Sequence, residues 1–324
     1  MRVVAAVQGW PGRYRIDANA AAVLAAQAWS AAVPDHEVVP LPMGNGGPQS
    51  AHVWRGARGL VEGAETMDFA GVTWLAPSGG SSRWNPIDVA AALLSLAKTE
   101  TRTVVIPVGD DAIAGDAVEL WSGSLPMTRK MLSGLDIVVL VSSRRPLLGF
   151  NGMSAALVEG KESNPVVAAA AQAQEERWQE IAAYGDAVGD RGALMGPTRL
   201  SDEPGTGAAA GLAYALAAVG ARLMPAAAYI ADAAGLSAEV SRGADLVFGI
   251  GTELTPRALD HGVSVPVAAA AAARGVPAVV LAPGVRVGKR DLMAAGITSA
   301  HEGLEGPEGL SDGVRRIAHT WARR

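Results

Sequence analysis

Ala244-Asp245-Leu246-Val247-Phe248-Gly249-Ile250-Gly251-Thr252-Glu253-Leu254-Thr255-Pro256-Arg257 decides the fold. Asp245 to Ile250 is a short, β-branched apolar run that reads as a buried strand, and it empties into a glycine-bearing turn with polar side chains. In an open α/β sheet, ligands bind beyond the carboxyl ends of the strands. Gly249, Gly251, Thr252 and Glu253 are therefore the first candidate site residues. The same pattern repeats outward from this stretch. Apolar runs at residues 2–7, 37–41, 71–75, 103–108, 136–141 and 277–281 alternate with longer Ala/Leu segments, the signature of a parallel sheet covered by helices. Helices are predicted at 17–32, with Asp17 as N-cap, and at 164–184, capped by Asn164 with Pro165 at its first position. Further helices are expected at 207–219, 225–234, 264–273, 289–295 and 310–322.

Composition narrows the function classes. Of 324 residues, 49% are hydrophobic and 18% charged, with a net charge of −5 and no cysteine. A sizeable core is possible, and the composition argues against global disorder. The negative balance argues against nucleic acid or an anionic membrane as partner, both of which need concentrated Lys and Arg. Without cysteine there is no disulfide framework, thiolate nucleophile or zinc–thiolate site. Met1–Val7 opens as a strand with no basic n-region or cleavage site, and the Ala-rich runs are too short to span a bilayer. A cytoplasmic protein is expected, with oligomerisation left open. None of the five histidines has metal-ligand spacing with another. Trp10 and Trp84 fall in loops, where either ligand stacking or core packing would account for them.

Several glycine-rich turns occur in a meaningful order. Leu41-Pro42-Met43-Gly44-Asn45-Gly46-Gly47 resembles the L-P-M-A-D-G-G-E-G-T segment of the glycerate kinase family, with Asn45 in place of the acid. Arg145-Pro146-Leu147-Leu148-Gly149 resembles the tail of its D-V-D-N-P-L-x-G, and Gly205-Thr206-Gly207-Ala208-Ala209-Ala210-Gly211-Leu212 its P-G-A-G-A-A-G-G-L. Residues 274–281 match its closing V-P-V-V-A-L strand, and 109–116 correspond to its G-G-S-A-T-N-D-G-G turn. The opening stretch is similar to the family's T-G-E-G-R-x-D-x-Q-T-x-x-G-K. The resemblance implies a two-lobed fold: a doubly wound parallel-sheet domain of residues 1–45 plus 244–324, with a second α/β lobe, 46–243, inserted. It places a small-molecule site in a cleft between lobes.

The resemblance also implies ATP-dependent phosphoryl transfer to glycerate or a related small hydroxy acid, with ATP and Mg²⁺ as cofactors. That chemistry needs donors around the phosphates, carboxylates for Mg²⁺ and a group that orients the acceptor hydroxyl. The family's acids fall here on Ser142, Arg144, Gly251 and Thr255, and its N-terminal lysine on Pro11. Stand-ins are Asp110, Asp111 and Glu253 as catalytic groups, with Asp111 and Asp116 as metal ligands. Lys161 aligns with the lysine of the family's G-P-Q-K-G segment. Gly249, Gly251 and Thr252 would hold the nucleotide. Arg13, Asn45, Arg144 and Arg145 would hold the substrate or another anion. Gly205, Thr206 and Gly207 offer backbone donors before a helix, or simply tight helix packing. The alternative is a family member that has exchanged metal-binding acids for arginines and binds a small anion without kinase activity or any cofactor.

Overall fold

The computed structural model describes residues 1–161, 163–189 and 197–322. The chain opens with β1 (Arg2–Val7), α1 (Ala18–Ala32) and β2 (Glu37–Pro42). It continues through β3 (Ala57–Val61), β4 (Ala64–Phe69), β5 (Val72–Pro77), α2 (Pro86–Leu96), β6 (Thr103–Gly109), α3 (Leu125–Leu132) and β7 (Asp136–Val141). Then follow α4 (Met153–Val158), α5 (Pro165–Val188), α6 (Leu212–Ala218) and β8 (Arg222–Pro225). The last part contains α7 (Ala226–Ala233), α8 (Leu236–Ser241), β9 (Leu246–Ile250), α9 (Pro256–His261), α10 (Ser264–Arg274), β10 (Ala278–Ala282), α11 (Lys289–Ala294), β11 (Ser299–Glu302) and α12 (Gly306–Trp321). These elements form two compact units, Met1–Asn45 with Ala226–Arg324, and Gly46–Pro225.

The first unit is a five-stranded sheet in the order β11-β10-β9-β1-β2, parallel throughout. β9 and β10 are buried along their whole length, and β1 after its first residue, as expected for strands covered on both faces. One face meets α1 and α12 through Ala21, Ala25, Trp29, Val314 and Ile317, packed on Val3, Val7, Phe248 and Leu281. Helix α10 covers β9 and β10 on the other. From β1 the chain winds outward to β2, and from β9 it winds the other way to β10 and β11. The β1–β9 pair is therefore the topological switch point, where loops diverge and leave a crevice.

Helices α7 and α8 belong to this unit, whereas the sequence assigns residues 226–243 to the inserted lobe. The reason is packing: both pack on α10, and α8 also touches β1. Arg2 ties α8 down, its Nη1 donating to the Glu239 carbonyl at 2.6 Å and its Nη2 to Glu239 Oε2 at 2.7 Å. The Arg2 guanidinium holds the Glu239 carboxyl below its ordinary value, through that hydrogen bond first.

The second unit is a six-stranded sheet in the order β3-β4-β5-β6-β7-β8. Strands β3, β4 and β5 pair antiparallel, and β5 to β8 pair parallel. Four parallel strands thus deliver their carboxyl ends to one edge. Its core joins Val104, Ile106, Val139 and Leu93 to Trp178 and to α6, every residue of which is buried. Asn164 Oδ1 caps α5 by accepting from Val166 and Val167, with Pro165 at N1, and Asp17 caps α1 by accepting from Ala20.

Candidate functional site

Strand β6 ends on Gly109, whose φ of +61° favours glycine. A Cβ there would lie 2.9 Å from the Gly47 Cα. That close approach seats the turn before Pro48 against the strand end. Asp110 follows, and across the strand ends stands Arg145, four residues beyond β7. The two form a two-toothed ion pair, Nη2–Oδ2 at 3.1 Å and Nη1–Oδ1 at 3.4 Å. Their side chains are only 11% and 21% exposed, so solvent screens the pair weakly. The Ala209 N–H adds a third contact to Asp110 Oδ1 at 3.3 Å. Burial pulls the Arg145 guanidinium down from its ordinary value, and the charge of Glu159 opposes that. Ala209 and Ala210 both have φ of +51°. Left-handed backbone costs an alanine about 1 kcal/mol or more, so this loop spends energy to reach Asp110.

The Gly205–Gly207 turn does not present free donors to an anion. Gly205 and Gly207 both donate to the Arg145 carbonyl, at 3.2 and 3.0 Å, and Thr206 N–H donates to Glu203. The Thr206 hydroxyl is fully buried; it accepts from Leu147 N–H at 3.0 Å. A Cβ on Gly207 would sit 2.3 Å from the Pro146 carbonyl oxygen. The helix begins at Leu212, five residues later than the sequence predicts. Of the two readings open from sequence, tight packing is the one these bonds support: the turn clamps the Arg145 loop in place.

The remaining candidates divide between the units. In the second, Asp111 is exposed and its Oδ2 curls back to 3.2 Å from the position of a Gly109 Cβ. Asp116 caps the turn at Ala117–Trp121 in a capping box with Glu119, and pairs with Arg177. Arg144 and Lys161 are exposed and make no side-chain bond among the described residues. In the first unit, Gly251 lies at the switch point. A Cβ there would meet Val263 at 2.8 Å and Gln8 Oε1 at 3.3 Å. Gly249 instead lets α10 close on β9, since its Cβ would press on Val267 at 3.2 Å. Glu253 is bonded to Arg286 at 2.8 Å, which raises the Arg286 guanidinium above its ordinary value. Thr252, Arg13 and Asn45 are exposed, Arg13 lying over the Tyr14 ring. Trp10 and Trp84 are core residues, each donating its indole N–H to a carbonyl.

Sequence reasoning passes over Gln8, a 5% exposed amide that directly follows β1 at the switch point and donates to the Gly44 carbonyl. A polar residue ending an unbroken apolar run was the signal for it. Arg177 and Arg286, the partners of two candidate acids, carry no such signal. Among the described residues no three acidic or histidine side chains gather as a metal site, and no helix is long and apolar enough to cross a membrane.

The model of the glycerate kinase family matches residues 109–323, about two thirds of the chain. This chain belongs to the glycerate kinase family. Uncharacterised proteins of Mycobacterium bovis and Mycobacterium tuberculosis are 29% identical over 214 residues, covering 65% of this chain. The chain spans about half the length of these curated relatives, 52% of each. A crystal structure from Salmonella typhimurium LT2, of a protein provisionally assigned as glycerate kinase 2, superposes with a TM-score of 0.66 at 18% identity. It covers 100% of this chain and 97% of that one, a likeness of fold.

Family membership raises the question of Mg²⁺, which takes hard oxygen ligands, usually carboxylates with phosphate and water. Asp110 is held at both oxygens by Arg145, Asp116 by Arg177 and its cap, and Glu253 by Arg286. A cation would have to displace a guanidinium at each. Asp111, the fourth candidate acid, turns its Oδ2 back toward Gly109. This donor set does not fit a magnesium site.

Proposed function

We propose that this member of the glycerate kinase family binds a small organic anion at the strand ends of its second unit, without magnesium-assisted phosphoryl transfer. One observation carries the reading: the Asp110 carboxylate, which would have to stand in for an acid the family carries elsewhere, is satisfied in a bidentate pair with Arg145. The flanking charges then favour an anion. Arg144 adjoins the pair in sequence, and Lys161 follows Glu159, which is near enough to act electrostatically on Arg145. Arg144 offers the planar fork that recognises carboxylate or phosphate, and Lys161 a point charge.

Calorimetric titration with D-glycerate and with inorganic phosphate, each with and without Mg²⁺, tests this. The expected result is saturable binding indifferent to Mg²⁺ and weakened about tenfold in Arg144→Gln or Lys161→Gln. Binding of either anion only when Mg²⁺ and ATP are both present would overturn it. Phosphoryl transfer from ATP to a small hydroxy acid is the second reading. It draws support from Gly251 at the switch point of the first unit, beside the amide of Gln8.

A further inference from the structure

The second unit carries another concavity, of about 360 Å³, between the β3–β4 hairpin and the turn at Pro48–Val53. Its size is that of a small-metabolite site. The register pairs Arg58 with Met67 and Leu60 with Glu65, so these four side chains share one face of the hairpin. Ala51, Met67 and Ala76 form a dry floor, each no more than 2% exposed. His52 forms a wall whose two nitrogens are both engaged, Nε2 with Glu65 Oε2 at 3.0 Å and Nδ1 with Gln49 Oε1 at 2.6 Å. Two groups are left over. The second oxygen of Glu65 makes no bond among the described residues, and neither does the exposed Arg58 guanidinium. They stand diagonally across the strand pair, about 7–8 Å apart at the backbone, close enough for one small molecule to touch both. Leu60, 79% exposed, stands beside them as an uncovered apolar surface.

We infer that this pocket binds an aliphatic α-amino acid. The carboxylate would meet Arg58, the ammonium the free oxygen of Glu65, and the side chain the Leu60–Met67 surface. A charge-assisted donor suits a carboxylate oxygen better than a neutral one, which selects the amino acid over its hydroxy analogue. The inference does not depend on how Asp110 and its neighbours are used.

Calorimetric titration of the full chain with L-norleucine tests it, against 2-hydroxyhexanoate and norleucine amide, which lack the ammonium and the carboxylate respectively. Saturable norleucine binding is expected, weakened about tenfold or more in each analogue and in the variants Arg58→Gln and Glu65→Gln. Gln at position 65 still accepts from His52, so the pocket wall is preserved. No saturable heat up to about 10 mM would overturn the inference. So would equal binding of the hydroxy acid, or norleucine binding that neither substitution changes.

Discussion

Breaking the Asp110–Arg145 pair should damage the second unit more than removing it whole. Asp110→Ala leaves a largely buried guanidinium without its partner, and the expected loss is roughly 2 kcal/mol in urea unfolding. Asp110→Leu combined with Arg145→Leu should recover most of that loss, because no unpaired charge is then left behind. Additive losses in the double variant would show that the two residues act separately. Asp110 was legible in sequence as a polar residue at a strand end. Its state was not, because Arg145 lies 35 positions away on another loop and only the pairing of β6 with β7 brings them together. Arg145 itself was expected to hold an anion; the anion it holds is a side chain of its own chain.

At the scale of elements, the loop from Gly205 to Gly211 is fastened by packing. Gly207→Ala should cost on the order of 2–3 kcal/mol, since its Cβ must push away the Pro146 carbonyl, and far-UV melting would read the loss. An unchanged melting temperature would mean the two loops move apart freely. Strand β11 offers a pH test. Burial first, and then the charge of Arg316, lower the His301 pKa, while the neutral ring is bonded to Ser299 Oγ at 3.1 Å. A histidine with a depressed folded value stabilises the fold fully above its unfolded value near 6.5. That stability is lost as pH falls through the folded value. Stability should therefore decline below pH 6.5, and His301→Gln should flatten the part of the decline due to this residue, as read by urea titrations across that range.

Long apolar runs made β1, β6, β7, β9 and β10 plain in the sequence. The hairpin of β3 and β4 escaped, because Arg58, Gly59, Glu65 and Thr66 break the apolar signal where the strands are held by cross-strand bonds. Strand β11, Ser299–Glu302, is polar and is defined by pairing with β10 alone. The late start of α6 was hidden by the alanines before it, which favour a helix locally while the bonds to Arg145 and Asp110 hold them out of one.

For the whole molecule, strand order follows from connectivity. A chain that leaves β1 for β2 and returns through β9 to β10 and β11 must reverse its winding between β1 and β9. The stretch from Ala244 to Arg257 was informative because it forms that reversal. Family resemblance in the sequence and fold match agree on the scaffold. That scaffold does not fix the chemistry, because side chains at strand ends can change without cost to the sheets that carry them. The central claim is that arginines hold three of the four candidate carboxylates, Asp110, Asp116 and Glu253, and leave no magnesium site for phosphoryl transfer. A coupled assay of ADP release from ATP and Mg²⁺, with and without D-glycerate, tests it most directly. No glycerate-stimulated release is the predicted result; glycerate-dependent turnover that disappears in Asp111→Asn would contradict the account.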